Sequence, residues 1–229
     1  DAWEDLREKG PRRVMPMTVP MLMPNGPGAA VGMDLHARAG IRTVVSACAS
    51  STESIANAYN HIQAGYADVV IAGGSEAAVH PLPIASFAAM QALSKRNDDP
   101  AAASRPYDVD RDGFVLGEGA AALVLETEEH ALARGAKIYA EVIGGAVTSD
   151  AYHITAPDPE GSGAARAMLD ALAVTGASLD EVIHINAHAT STPVGDIAEY
   201  SALRRVFGAK LDGIPVSATK ASTGHLLGG

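Results

Sequence analysis

The sequence predicts an α/β fold with parallel strand pairing. Three observations carry this expectation. Short apolar, β-branched runs alternate with amphipathic stretches of ten or more residues. The connections between runs are long enough to act as crossovers, which parallel neighbours require. One run, 68–72, is continuously apolar after its first residue, Asp68-Val69-Val70-Ile71-Ala72, rather than alternating, as in a strand covered on both faces.

The elements follow in chain order. Asp1 to Gly10 reads as the last turns of a helix closed by its glycine. Residues 43–47 read as a buried strand running into small residues. Ser50-Ser51-Thr52-Glu53 fits a capping box, with Glu three positions after Ser. A helix is therefore predicted from Thr52 to Ala64, with Ile55, Ala58, Tyr59 and Ile62 on one face and Gly65 at its end. Residues 68–72 form the next strand, stopped by Gly73-Gly74. The polar stretch 94–113, with Pro100 and Pro106, reads as a long ordered loop. A strand follows at 120–125, a short helix at 128–134 and a strand at 138–147. Residues 162–174 form an amphipathic helix ended by Gly176, and 182–186 a strand. Asp196 caps a helix running to Phe207, and 215–218 is a short strand.

Composition narrows the function classes. The 229 residues are 47% apolar and 19% charged, the balance of a globular chain with a sizeable core. Aromatics make up only 4%, so Ala, Val, Ile and Leu must fill most of that core. Lys and Arg total 17 against 27 Asp and Glu, a net charge of −10 that argues against general nucleic-acid binding. No apolar run reaches the length of a membrane span, and the first residues lack the charged-then-apolar pattern of a secretory signal. A single cysteine excludes an internal disulfide and a Cys-rich zinc site, and fits a reducing, cytoplasmic compartment. Both ends read as cuts within a longer protein, because residue 1 is not Met and the chain stops where a further helix opens, at Leu227-Gly228-Gly229.

That single cysteine, Cys48, falls between the strand at 43–47 and the following helix. A free cysteine is often just a small buried hydrophobe. On a strand-to-helix turn, however, it sits at the positive end of the helix dipole, which favours the reactive thiolate. Two of the eight histidines share its kind of setting. His188 lies within the run Asn186-Ala187-His188-Ala189-Thr190-Ser191-Thr192, and His225 ends Thr219-Lys220-Ala221-Ser222-Thr223-Gly224-His225. Each follows an apolar strand and lies among small or hydroxylic residues. In such sheets, ligands sit beyond the carboxyl ends of strands. His184 reads as a core histidine and His36, His61, His80 and His130 as surface or loop residues, while spacing leaves His153 undecided. One Cys and two loop histidines fit a Cys–His hydrolase, a zinc site, or thioester carbon–carbon bond formation with histidines donating to an oxyanion. Composition and spacing do not separate these.

The motifs around these residues do. Ser46-Ala47-Cys48-Ala49-Ser50, Asn186 to Pro193 with Gly195-Asp196, and Thr219 to His225 resemble the β-ketoacyl-[acyl-carrier-protein] synthases. Arg105-Pro106-Tyr107-Asp108 and Asp110 to Gly119 are similar to that family as well, in the style of the type II enzymes of actinobacterial fatty-acid synthesis. All four motifs occur in the family's order, and the resemblance covers essentially all 229 residues. It implies a thiolase-like fold of two similar βαβαβ-type halves, here residues 1–137 and 138–229, each truncated at its outer end, and a homodimer.

The resemblance also implies roles. Cys48 would take the acyl group from acyl carrier protein as a thioester. His188 and His225 would hydrogen-bond the malonyl thioester oxygen as carbon dioxide leaves. Lys220 would tune and orient that pair, and Glu199 would support it. Thr190, Thr192 and Thr155 match positions that bind the phosphopantetheine arm, and Phe87 and Phe114 match positions near the acyl pocket and entrance. Arg12 and Arg13 match a basic pair that receives the acidic carrier protein. No metal or redox cofactor is implied, because the substrates travel on phosphopantetheine. Ser51 and Ala189 stand where the family commonly has Gly, and Gln91 where a carrier-binding Arg is common. The family's Gly-Phe-Gly-Gly loop, source of a second oxyanion amide, is not among the 229 residues. A polyketide ketosynthase and a non-catalytic ketosynthase-like partner subunit are the alternatives within this resemblance.

Overall fold

A computed structural model of the chain describes residues 2–229. The chain packs as two units, one ending at Val45 and one running from Ser46 to Gly229. Among its described residues the first holds three α-helices, α1 (Ala2–Lys9), α2 (Thr18–Leu22) and α3 (Gly26–Asp34). Gly10, at φ 80°, ends α1 by returning its N–H to the Leu6 carbonyl, as the sequence predicts. Asp1, the first residue of that predicted helix, lies outside the described residues.

The second unit opens with α4 (Ser50–Gln63), β1 (Val69–Glu76), α5 (Pro81–Ala89), β2 (Gly119–Glu126) and α6 (Glu128–Ala133). It continues with α7 (Ser162–Thr175), β3 (Ile185–Asn186), α8 (Gly195–Phe207), β4 (Val216–Ser217) and α9 (Lys220–Thr223). Two small cores form. α4 lays Ala58, Ile55 and Ile62 on Ala72 of β1 and Leu125 of β2. α7 and α8 close around Ala165, Ala202, Leu203, Val206 and Phe207. Alanines at these contacts let helix approach helix and sheet closely, consistent with a core poor in aromatics. Among the described residues no helix is long and apolar enough to cross a membrane.

Several expectations are corrected. β1 and β2 pair antiparallel, with Val69 opposite Glu126 and Glu76 opposite Gly119. Only β3 and β4 pair parallel. A long connection permits a crossover but does not impose one. Gly73-Gly74 lies inside β1 instead of stopping it. A Cβ on Gly73 would stand 2.0 Å from the Ala121 carbonyl oxygen of β2, so close strand approach requires glycine there. Residues 43–47 and 138–147 form no ladder among the described residues, and Val45 and Tyr139 remain exposed. Their apolar runs encode a preference for extended backbone, but a strand also needs a paired neighbour. The capping box at Ser50 is absent: α4 begins at Ser50, its N-cap is Ala49, and no side chain caps it.

Candidate active site

Cys48 sits on a single 3-10 turn, Ala47–Ala49, at the head of α4. Ala47 has φ 51°, a left-handed conformation that an alanine adopts only under constraint. Ser50 supplies that constraint. Its Oγ accepts the Ser46 N–H at 3.0 Å and donates to the Ala47 carbonyl at 2.7 Å, tying both ends of the turn.

His225 is almost wholly buried, at 3% exposure, and its Nε2 lies 3.1 Å from Cys48 Sγ. The loop before β2 holds its backbone: the His225 N–H donates to the Val115 carbonyl at 2.7 Å, and the Gly117 N–H to the His225 carbonyl at 2.9 Å. Its Nδ1 accepts the Leu227 N–H at 3.1 Å. A ring nitrogen that accepts carries no proton, so this contact assigns the proton to Nε2, and Nε2–H points at the sulfur. The His188 ring stands edge-on to His225 at 5.5 Å, and Phe114 and Phe87 continue the row of edge-to-face rings at 5.2 Å each.

Two carboxylates from α8 hold the loop that carries His188. Glu199 accepts the His188 N–H at 2.6 Å on Oε1 and the Ala189 N–H at 2.7 Å on Oε2. The Tyr107 hydroxyl donates to the same Oε2 at 2.8 Å. Asp196, 1% exposed, accepts the N–H groups of Tyr107 at 2.7 Å and Ser191 at 3.1 Å, with Arg111 Nε 3.6 Å away. Ala189 and Ser191 in this loop, and Tyr107 in the loop packed on it, have positive φ, so these carboxylates hold strained backbone. Asp196 therefore anchors a loop and does not cap α8, whose N-cap is Val194. Asp196→Ala leaves the Tyr107 and Ser191 amides without their acceptor and takes the carboxylate from beside Arg111, whose guanidinium keeps the Thr192, Asp108 and Pro193 carbonyls; a loss of about 3–5 kcal/mol is expected. Urea unfolding measures it; a shift below about 1 kcal/mol would mean that water replaces the carboxylate.

The other expected site residues divide. Thr190 and Thr192 join through their hydroxyls at 2.9 Å, directly beyond His188. Lys220 opens α9, and its carbonyl accepts Ser104 Oγ at 2.7 Å. Thr155 is exposed in a separate turn, where its N–H donates to His153 Nδ1 at 3.1 Å. Arg12 and Arg13 are exposed in a 3-10 turn of the first unit. His184 is exposed and meets Ser217 Oγ at 2.9 Å, so it is not a core histidine. Sequence reasoning missed the parts played by Tyr107, Arg111 and Asp196. Their motif was visible, but not the direction of its hydrogen bonds.

Electrostatics correct one more expectation. Desolvation pushes the Cys48 thiol up, and the Glu76 carboxylate adds to this; the Lys220 ammonium and a backbone amide pull the other way. The net effect favours the thiol over the expected thiolate. Desolvation and the Lys220 ammonium lower His188, against opposing carboxylates of Glu199 and Asp196. Lys220 itself is lowered by burial, against Glu199 and Cys48. Burial, with His188 and Lys220 nearby, pushes His225 down to about 4. Both imidazoles are thus neutral near pH 7.

A pH dependence of stability follows. Between about pH 6.5 and about pH 4 the unfolded chain protonates position 225 while the folded chain does not. Stability is expected to be full above about pH 6.5 and to fall as pH drops toward about 4, by up to roughly 3 kcal/mol. Urea midpoints at pH 7 and pH 5 test this, and His225→Asn should reduce the difference. An unchanged difference in that variant would assign the effect to other groups.

Cys48, His188 and His225 bring their ligand atoms within 4.8 Å of one another, a donor set zinc can use. The outer contact of His225 opposes that use. A metal-bound imidazole donates its second N–H to an acceptor, whereas here the Leu227 N–H is aimed at Nδ1 and the proton sits on Nε2, the atom facing the sulfur. The set suits hydrogen-bond donation better than ligation.

Comparison with known proteins gives a consistent picture. The family model for the β-ketoacyl synthase N-terminal domain matches residues 1–131, and that for the C-terminal domain matches residues 139–229. The chain is 49% identical over 228 residues to 3-oxoacyl-[acyl-carrier-protein] synthase 2 of Mycobacterium bovis, covering 99% of this chain and 54% of the relative. It is 50% identical over 224 residues to the protein of the same name from Synechocystis, covering 98% and 54%. The chain therefore spans about half the length of the curated relatives it matches. A solved β-ketoacyl synthase from Burkholderia phymatum superposes with a TM-score of 0.91 at 39% identity, covering 99% of this chain and 54% of that one. A type II polyketide ketosynthase, solved with its acyl-carrier protein, gives 0.93 at 37% identity, covering 96% and 54%.

Proposed function

This chain belongs to the β-ketoacyl synthase family, with its thiolase-like fold, and on that premise we propose that it carries the reacting groups of a type II 3-oxoacyl-[acyl-carrier-protein] synthase. The whole protein would condense an acyl thioester with malonyl-carrier protein in fatty-acid elongation. The observation that carries this reading is the neutral His225 Nε2–H, aimed at Cys48 Sγ from 3.1 Å with His188 beside it.

Cys48 Sγ attacks the acyl thioester, the acyl–sulfur bond to the carrier breaks, and the carrier thiol leaves with the proton. Malonyl-carrier protein then enters and loses carbon dioxide. Its thioester oxygen gains negative charge and accepts N–H bonds from His188 and His225. Neutral donors suit this step, because an imidazolium would hand its proton to the carbanion. The carbanion attacks the Cys48 thioester carbonyl, forms the new carbon–carbon bond and releases the Cys48 thiolate. Burial keeps both histidines neutral, and the positive charge of Lys220 adds to this and pulls the thiol toward ionisation.

Thr190, Thr192 and Thr155 are assigned to the phosphopantetheine arm, and Phe87 and Phe114 to the acyl side of the site. Exposed Arg12 and Arg13 are assigned to the acidic carrier protein; on a chain of net charge −10, a local basic pair gives such a partner one place to be steered to. The reading includes two structural halves, residues 1–137 and 138–229, supported by the two family-model matches. It also includes a cytoplasmic homodimer with no metal or redox cofactor. Curated relatives near 50% identity favour fatty-acid over polyketide elongation, and Cys48 disfavours a non-catalytic partner subunit.

The test is intact-mass analysis of the full-length protein after incubation with acyl-carrier protein, followed by carbon dioxide release from malonyl-carrier protein. One acyl group on Cys48 and release dependent on both histidines are expected. Absence of the acyl adduct would reject the reading.

A further inference from the structure

We infer that Ser51 is a positioning residue for His225: its hydroxyl braces the turn that keeps the His225 Nε2–H aimed at Cys48 Sγ. The inference deepens the proposed function and rests on it for its activity readout.

Two adjacent serines at the head of α4 divide the work. Ser50 closes the nucleophile turn through Ser46 and Ala47. Ser51 turns the other way and donates its Oγ–H to the Gly228 carbonyl at 2.5 Å, across 177 residues of sequence. The Gly228 N–H donates to Glu76 Oε2 at 3.3 Å, so both polar groups of Gly228 are held from outside their own turn. Gly74 makes room for this contact. A Cβ there would lie 1.9 Å from Ser51 Oγ and 2.5 Å from the Gly228 carbonyl oxygen.

The turn being held is strained. Leu227 has φ 52°, a left-handed conformation unfavourable for a leucine that persists only when its surroundings enforce it. In that conformation its N–H donates to His225 Nδ1 at 3.1 Å. That bond puts the ring proton on Nε2, facing Cys48 Sγ. A chain of contacts thus runs from Ser51 through Gly228 and Leu227 to the tautomer of His225. Without the Ser51 hydroxyl, Gly228 keeps only its longer bond to Glu76. Leu227 then relaxes, and the proton on His225 is free to move to Nδ1.

The test uses the full-length protein with 15N-labelled histidine and the variants Ser51→Ala, Ser51→Gly and Ser51→Thr. The His225 ring signals are identified by their loss in His225→Asn. The wild type should show an unprotonated Nδ1 and a protonated Nε2. Ser51→Ala and Ser51→Gly should shift both signals toward a mixture of tautomers. Both should slow malonyl decarboxylation about three- to tenfold, while acylation of Cys48 changes less than about twofold. Ser51→Thr, which keeps the hydroxyl, should restore the wild-type signals. Wild-type tautomer and decarboxylation in Ser51→Ala would overturn the inference. So would unfolding of both hydroxyl-less variants, read by circular dichroism, because Ser51 would then serve the fold as a whole. If the wild-type protein forms no acyl adduct, the functional reading fails, and the tautomer signals alone still decide the role of Ser51.

Discussion

Cys48→Ala is expected to abolish acyl-enzyme formation and condensation, a fall of at least about 1,000-fold, while leaving malonyl decarboxylation measurable. The two halves of this result have separate physical causes. Cys48 is the chain's only cysteine, and the substitution removes the sole sulfur nucleophile. The proposed decarboxylation donors are held by other means: His225 by Val115, Gly117 and Leu227, and His188 by Glu199. None of those contacts involves the sulfur. Intact-mass analysis and carbon dioxide release read the two steps independently. Simultaneous loss of both in a folded variant would mean that the thiol also orients the histidines.

His225→Ala should show the complementary pattern. Removing one donor to a developing oxyanion costs a factor of about 100 to 1,000, and that loss is expected in decarboxylation. The acyl adduct on Cys48 should still form. The neutral state of His225 makes this split possible, because a group pushed down to about 4 is a poor proton acceptor for the thiol at pH 7. Loss of acylation with normal decarboxylation would reverse the roles and make His225 the base of Cys48.

The proposed reacting groups were legible because their motifs are local. Cys48, His188 and His225 each stand in short runs of small and hydroxylic residues, and the structure brings together three side chains from distant parts of the sequence. The supports were less legible. An aspartate in the first turn of a helix reads as a cap, yet Asp196 spends its oxygens on the amides of Tyr107 and Ser191. Ser51 reads as a bulkier residue in a glycine position, and its bond to Gly228 is invisible before folding. The helix dipole was legible at Cys48, but not the desolvation that, with a smaller part from the Glu76 charge, raises the thiol.

Sequence alone determined that this is an α/β chain and where α4, α6, α7 and α8 run, and it singled out Cys48, His188 and His225 as the proposed reacting groups. These are properties of neighbours along the chain, set by periodicity, glycine stops and side-chain type. Tertiary structure alone decided that β1 and β2 run antiparallel, that Gly73-Gly74 continues a strand, and that 43–47 and 138–147 form no ladder among the described residues. It also decided which nitrogen of His225 bears the proton and in which direction Cys48 is shifted. Strand partners, hydrogen-bond direction and loss of water all depend on groups tens to hundreds of residues away, and those groups come within reach only when the chain has folded.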